Sequence, residues 1–301
     1  MITPPFLKHG DTIGLVSTAR KITLSEIEPA INCLAEQGFH VILAPNIFVI
    51  HHQFAGTDEQ RSSDFQWMIN NAEVKAILCV RGGYGTARII DSINFNPLLE
   101  NPKWVCGYSD VTVLHAHLQH LELQTLHCTM PINFPTDGSL NESVRSMLNV
   151  LQGKHQQYEF PNQPLNRVGT SQGNIVGGNL SILYSIMGSP SDINTDGKIL
   201  FIEDLDEYLY HIDRMMISLK RNGKLSNLAG LIVGGLSDMH DNAVPFGKTA
   251  EEIIRDAVDE YNYPVCFGFP AGHIDPNMAL IIGGNVSLNI TAELTTISFN
   301  L

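Results

Sequence analysis

Positive charge is scarce in this sequence. Its 301 residues carry 18 Lys+Arg against 31 Asp+Glu, a formal net charge of −13 at pH 7. A surface of that sign repels phosphate backbones and anionic lipid heads, so neither nucleic acid nor a membrane surface is an expected partner. No run of about 18 apolar residues occurs, which excludes a membrane-spanning helix. The first residues, Met1-Ile-Thr-Pro-Pro-Phe-Leu-Lys-His-Gly10, lack the charged, apolar and small-residue order of a secretory leader, so none is expected. Cysteine is sparse as well: Cys33, Cys79, Cys106, Cys128 and Cys266 are odd in number, widely spaced and without a Cys-x-x-Cys pair. That usage fits reduced thiols in a cytoplasm, and neither a disulfide framework nor a structural zinc is expected. What the chain does have is apolar content, 44% hydrophobic against 16% charged, enough for sizeable cores. At roughly 150 residues per domain the length predicts two domains.

The first part alternates short β-rich runs with helical patterns. Thr12–Ser17, Phe39–Ala44, Lys75–Val80 and Trp104–Gly107 read as strands. Between them, Thr23-Leu-Ser-Glu26 and Thr57-Asp-Glu-Gln60 are capping boxes that open helices, with Ile27, Ala30, Ile31 and Leu34 and then Phe65, Met68 and Ile69 on single faces. Strands separated in this way call for right-handed crossovers and a mostly parallel sheet, with ligands beyond the carboxyl ends of its strands. From Pro135 to about Arg167 the pattern dissolves into Gly, Asn, Gln and Pro, including Gln152-Gly-Lys-His-Gln-Gln-Tyr158. The expected organisation is therefore an α/β domain over 1–150, a linker over 151–168 and a smaller β-rich domain over 169–301 with two clear helices.

Two strand-to-helix turns carry candidate chemistry. Arg81-Gly-Gly-Tyr-Gly85 follows a strand and precedes Thr86-Ala-Arg-Ile-Ile-Asp91. Its glycines free backbone amides to face an anion or oxyanion, or simply make a tight turn. The glycine spacing is not the dinucleotide fingerprint, which argues against a nicotinamide enzyme. Gly107-Tyr-Ser-Asp-Val-Thr112 places Ser109 at the apex of a second turn. A serine there projects its hydroxyl above the sheet as a nucleophile, or caps the helix as Asp110 also can. The usual glycine two residues after such a serine is Val111 here. A nucleophile needs a base and an orienting acid. Glu203 ends the apolar run of Phe201-Ile-Glu-Asp204, where a carboxylate is costly without a partner, and His273 lies in the loop Gly268-Phe-Pro-Ala-Gly-His273. His115, His117 and His120 diverge on a helix and read as packing rather than a metal site.

In chain order these pieces resemble the LD-carboxypeptidase family of serine peptidases. The resemblance runs through Leu7-Lys-His-Gly-Asp-Thr-Ile-Gly14, Ala55-Gly-Thr-Asp-Glu-Gln-Arg61, Arg81-Gly-Gly-Tyr-Gly85 and Pro102-Lys-Trp-Val-Cys-Gly-Tyr-Ser-Asp-Val-Thr112. It continues through Gly177-Gly-Asn-Leu180, Phe201-Ile-Glu-Asp204 with Ile212-Asp-Arg214, and Gly268-Phe-Pro-Ala-Gly-His273. The resemblance implies a flavodoxin-like N-terminal domain and a β-rich C-terminal domain. It implies Ser109 as nucleophile, His273 as general base, Glu203 as the acid that orients it, and the amides of Gly82 and Asp110 as oxyanion hole. It also implies a cytoplasmic, homodimeric enzyme without metal or cofactor that releases terminal D-alanine from muropeptide tetrapeptides in peptidoglycan recycling. For the substrate carboxylate the expected edge is the loop of Arg81, Gly83 and Tyr84.

Two departures from the family pattern are expected at the rim of the site: Thr18-Ala19 in place of Pro-Ser, and His127-Cys-Thr-Met-Pro131 in place of a His-Gly-Pro stretch. One rival reading keeps the triad but cuts a peptidyl or aminoacyl nucleotide, as a microcin C self-immunity peptidase does, with Tyr108 or Phe134 stacking on the base. Another is a non-enzymatic two-lobed protein that binds a small anion.

Overall fold

The structure, a computed structural model, describes residues 1–154 and 156–300. His155, in the expected linker, and Leu301, the end of the expected second domain, lie outside the described residues. The chain divides into two compact units, Met1–Lys154 with Pro276–Ile281, and His155–Asp275 with Ile282–Leu301.

The first unit runs β1 (Thr12–Val16), α1 (Leu24–Glu36), β2 (His40–Leu43), α2 (Asp58–Asn70), β3 (Val74–Cys79), α3 (Thr86–Ile89), α4 (Pro97–Glu100), β4 (Trp104–Gly107), α5 (Thr112–Gln119), β5 (Thr125–His127) and α6 (Glu142–Leu151). Both capping boxes form. The Glu26 carboxylate accepts the Thr23 amide at 2.8 Å, and Thr57 and Gln60 exchange bonds of 2.9 and 3.3 Å. The sheet order is β2-β1-β3-β4-β5, all parallel, with β1 buried along its whole length. This is the flavodoxin-like order, whose switch point lies at β1 and β3. The turns after β1, β3 and β4 therefore share the edge where such sheets bind ligands.

In the second unit come β6 (Gln157–Pro161), β7 (Gly169–Asn179), α7 (Leu180–Ser185), β8 (Ile199–Leu205), α8 (Leu209–Arg221), β9 (Gly230–Ser237), α9 (Ala250–Ala257) and β10 (Val265–Cys266). After β11 (Leu280–Ile282), which lies beside β5 in the first sheet, β12 (Asn285–Ile290) and β13 (Leu294–Phe299) close the chain. The second sheet runs β10-β9-β8-β7-β12-β13-β6, parallel from β10 to β7 and antiparallel from there to β6.

Three elements differ from the expectation. Helix α6 occupies part of the stretch where the pattern dissolved, because Val144, Met147, Leu148 and Leu151 are buried at helical spacing. Within the stretch read as a linker, Gln157–Pro161 is strand β6, pairing with β13 through the alternation of buried Tyr158 and Phe160. The second unit has three helices among the described residues, the third opened by a Thr249–Glu252 capping box.

All five cysteines are buried free thiols. Among the described residues no helix is long and apolar enough to cross a membrane.

Candidate active site

Strand β4 ends at Gly107, and a 3-10 turn, Ser109–Val111, leads into α5. Ser109 sits at the apex with φ 63°, a left-handed conformation that costs a non-glycine residue about 1–2 kcal/mol. Such strain persists only where the surroundings impose it, and a strand-to-helix turn with a strained apex is the backbone shape that a nucleophile elbow uses. Val111 fits at the position that elbows usually give to glycine because Gly107, without a side chain, leaves the room instead. A Cβ on Gly107 would meet Val111 Cγ2 at 2.9 Å.

The glycine loop after β3 closes over this serine. A Cβ on Gly82 would lie 3.0 Å from Ser109 Cβ and 3.1 Å from its Oγ, so only a glycine lets this backbone reach the hydroxyl. Asp110 holds the other end of the loop: its Oδ2 accepts the Thr86 backbone N–H at 2.8 Å. The Thr86 hydroxyl also bonds Thr18 at 2.9 Å. Burial raises the Asp110 carboxyl above its ordinary range, and its second oxygen has no hydrogen-bond partner. Gly83 lies against the Arg20 side chain, and Tyr84 is exposed beside Phe54. Arg81 donates to the Lys21 carbonyl at 3.3 Å and faces Glu26 at 3.6 Å.

In the second unit Glu203 and His273 meet. The fully buried Glu203 accepts the His273 ring Nδ1 at 2.7 Å and the His273 backbone N–H at 3.2 Å through one oxygen, Oε2. A bulge makes this possible. Ile202 pairs with Val233 and Asp204 with Leu236, so Gly234 and Gly235 of β9 oppose the single residue Glu203. The glycines admit the 271–274 loop. A Cβ on Gly234 would lie 2.5 Å from the Ala271 carbonyl, and one on Gly235 would lie 2.6 Å from Ile274. Gly272, at φ 108°, leaves room for the carboxylate, which a Cβ there would approach to 2.6 Å. The neighbouring Asp204 accepts the Ser181 N–H at 2.8 Å at the start of α7. Burial, then the Glu203 charge, pushes Asp204 up to about 7.

The structure thus gathers Ser109, Gly82 and Asp110 in the first unit, and Glu203 with His273 in the second. The sequence reading missed the Asp110 side chain as a strut, the Gly234–Gly235 bulge and Gly272. The signal for the bulge was present in the run Leu231-Ile-Val-Gly-Gly235, where paired glycines interrupt a strand. Both departures expected at the rim are buried. Thr18 accepts Arg61 Nε through its carbonyl at 3.0 Å, and the Cys128 thiol packs against Cys106. Tyr108 and Phe134, considered for base stacking, are 8% and 5% exposed and belong to the core. His115 is a buried packing residue between Thr125 and the Gly107 carbonyl, each at 2.8 Å. Among the described residues no three His, Cys, Asp or Glu side chains gather as metal ligands would.

The sequence profile of the LD-carboxypeptidase N-terminal domain matches residues 13–128, and that of the LD-carboxypeptidase C-terminal domain matches residues 172–288. The chain is 37% identical to the probable murein peptide carboxypeptidase of Bacillus subtilis, covering 98% of this chain and 93% of that one. It is 24% identical to the microcin C7 self-immunity protein MccF of Escherichia coli over 94% of this chain and 92% of that one. The crystal structure of muramoyltetrapeptide carboxypeptidase from Oxalobacter formigenes superposes with a TM-score of 0.87 at 26% identity, covering 96% and 98% of the two chains. Two matched domains and similarity along nearly the whole length place the chain in the LD-carboxypeptidase family.

Proposed function

We propose that the protein is a serine L,D-carboxypeptidase that releases the terminal D-alanine from murein tetrapeptides. The observation that carries this reading is the bond from His273 Nδ1 to a fully buried carboxylate, Glu203, at 2.7 Å. That bond fixes the tautomer and leaves Nε2 to act as base. Ser109 supplies the nucleophile. Its oxygen attacks the carbonyl before D-alanine while His273 takes the hydroxyl proton, and the amides of Gly82 and Asp110 receive the developing oxyanion. His273 then protonates the leaving amine. Water, deprotonated by His273, cleaves the acyl-serine ester and restores Ser109. Every proton moves between side chain, substrate and water, so the scheme calls for no metal or cofactor. Arg81, Gly83 and Tyr84 form the substrate-binding edge.

The names of the B. subtilis and O. formigenes relatives support the muropeptide substrate. Burial of Tyr108 and Phe134 leaves little ring surface for the base stacking that the nucleotide-substrate reading relied on. A homodimer in the cytoplasm belongs to the same proposal. Exposed Tyr208, Tyr210, Ile217, Val244 and Phe246 support a subunit contact on the second unit, and sedimentation tests it.

Mass spectrometry of wild type and Ser109→Ala with a D-alanine-terminated tetrapeptide tests the activity. Loss of one D-alanine with wild type alone is expected. Cleavage by both would remove Ser109 from the mechanism, and cleavage by neither would overturn the muropeptide reading.

A further inference from the structure

A cavity of about 420 Å³ opens beside the glycine loop, lined by Arg20, Lys21, His52, Gln53 and Arg81. Backbone bonds hold these residues in place. The turn from His51 to Phe54 is closed by two bonds of 3.0 Å, with His52 in a left-handed conformation at φ 57°. Lys21 donates its N–H to the Gln53 carbonyl at 3.0 Å, and Arg20 pairs with Phe54 as an antiparallel bridge. The Arg81 guanidinium reaches the Lys21 carbonyl from the other side.

Three of the 18 basic residues of an acidic chain thus surround one space. Of these, Arg81 already has Glu26 at 3.6 Å. Among the described residues, the side chains of Arg20 and Lys21 have no hydrogen-bond or ion-pair partner. Like charges held together unpaired by the backbone are destabilising, and a bound anion relieves them. A guanidinium favours a planar, bidentate anion such as a carboxylate.

Position completes the argument. Gly82 touches Ser109, and a Cβ on the next residue, Gly83, would lie 2.6 Å from Arg20 Cδ. Consecutive residues are about 3.8 Å apart, close to the span from a scissile carbonyl carbon across three bonds to a terminal carboxylate. We propose that this cavity seats the C-terminal carboxylate of the substrate and that Arg20 is the residue that recognises it. The inference rests on the carboxypeptidase reading above and adds the residue that enforces a free terminus.

The test uses wild type, Arg20→Ala and Arg20→Lys with three peptides. These are the D-alanine-terminated acid, its C-terminal amide, and an acid whose internal carboxylates are amidated. Arg20→Ala is expected to raise KM for the acid about 10- to 100-fold, with the loss carried by KM rather than kcat, and Arg20→Lys to recover part of it. The amide should bring wild type down to the level of Arg20→Ala and leave that variant unchanged. Amidating only the internal carboxylates should change little; sensitivity to Arg20 that vanishes with that peptide would assign the cavity to an internal carboxylate and overturn the proposal. An unchanged KM in Arg20→Ala would overturn it too.

If wild type cleaves none of them, the activity reading fails and the cavity is judged by binding. Titration calorimetry with N-acetyl-D-alanine and N-acetyl-D-alaninamide then decides. Preference of wild type for the acid, lost in Arg20→Ala, upholds the cavity, and no preference rejects it.

Discussion

The Asp110 carboxylate accepts the Thr86 backbone N–H at 2.8 Å, which ties the residue after the elbow serine to the helix behind the glycine loop. The bond is kept although Asp110 is buried and its other oxygen is unpartnered. A group held at that cost fixes geometry, here the approach of Gly82 to Ser109. Asp110→Ala leaves the Thr86 N–H unpaired and should cost about 1–3 kcal/mol of stability. It should also lower kcat roughly 10- to 100-fold with a smaller change in KM, as a loosened oxyanion donor does. Asp110→Asn keeps an acceptor and should recover most of the rate. Steady-state kinetics with urea melts checks this, and a normal kcat in Asp110→Ala would remove the strut.

Gly82→Ala isolates the same contact from the other side. The backbone of Gly82 is not in the left-handed region, so alanine is tolerated locally. Its methyl would lie 3.0 Å from Ser109 Cβ and 3.4 Å from Met130 Cε. The variant should melt near wild type yet lose about 100-fold or more in kcat, the scale of one lost oxyanion donor. Labelling of Ser109 by a fluorophosphonate should slow in parallel. Wild-type labelling would show that the contact does not matter to the serine.

Glu203→Gln tests the acid. One oxygen of Glu203 now takes both the ring and the backbone N–H of His273. The uncharged amide can still accept from the ring but cannot stabilise imidazolium, so kcat should fall about 10²- to 10⁴-fold. Gly272→Ala should reproduce the loss with the Ser109, Glu203 and His273 side chains all present, because its methyl would occupy the position of the carboxylate and its φ of 108° disfavours any side chain. Comparing kcat of the two variants, with melts to show that both fold, makes the check. An active Gly272→Ala would mean that the pair tolerates displacement.

The local code was most legible where one short signal decides one boundary. Thr23 and Glu26, or Thr57 and Gln60, announce helix starts because each side chain satisfies an otherwise orphaned amide nearby. The alternation of strands and helices up to Gly107 carried the parallel sheet for the same reason. Helix α6 was hidden by its polar flanks, although Val144, Met147, Leu148 and Leu151 mark its buried face. Strand β7 carries Gly169, Gly173, Gly177 and Gly178, a local composition that suggests turns. Its glycines instead permit close packing, since a Cβ on Gly177 would meet the Phe201 carbonyl at 2.0 Å. At the site, Ser109, Glu203 and His273 stood out by residue type and motif. The contacts that position them run between residues distant in the chain, Gly82 against Ser109 and Gly234–Gly235 opposite Glu203, and no local pattern records them.

His115 couples the elbow to pH. Its Nε2 donates to the Gly107 carbonyl and its Nδ1 shares a hydrogen bond with the Thr125 hydroxyl, each at 2.8 Å. Burial pushes its pKa down to about 4, against 6.5 for a free imidazole. Between these values the unfolded chain holds a proton that the folded chain does not, so stability rises with pH across the window. The contribution is complete above about 6.5 and is lost as pH falls towards 4. A shift of this size corresponds to about 3 kcal/mol. Urea denaturation of wild type and His115→Gln between pH 4.5 and 8 should show wild type gaining more stability with pH than the variant. Parallel curves would mean that other groups govern the acid limb. Because Gly107 immediately precedes the serine turn, acid should also slow labelling of Ser109 in wild type at a higher pH than global unfolding, if the ring loosens this strand end before the unit melts.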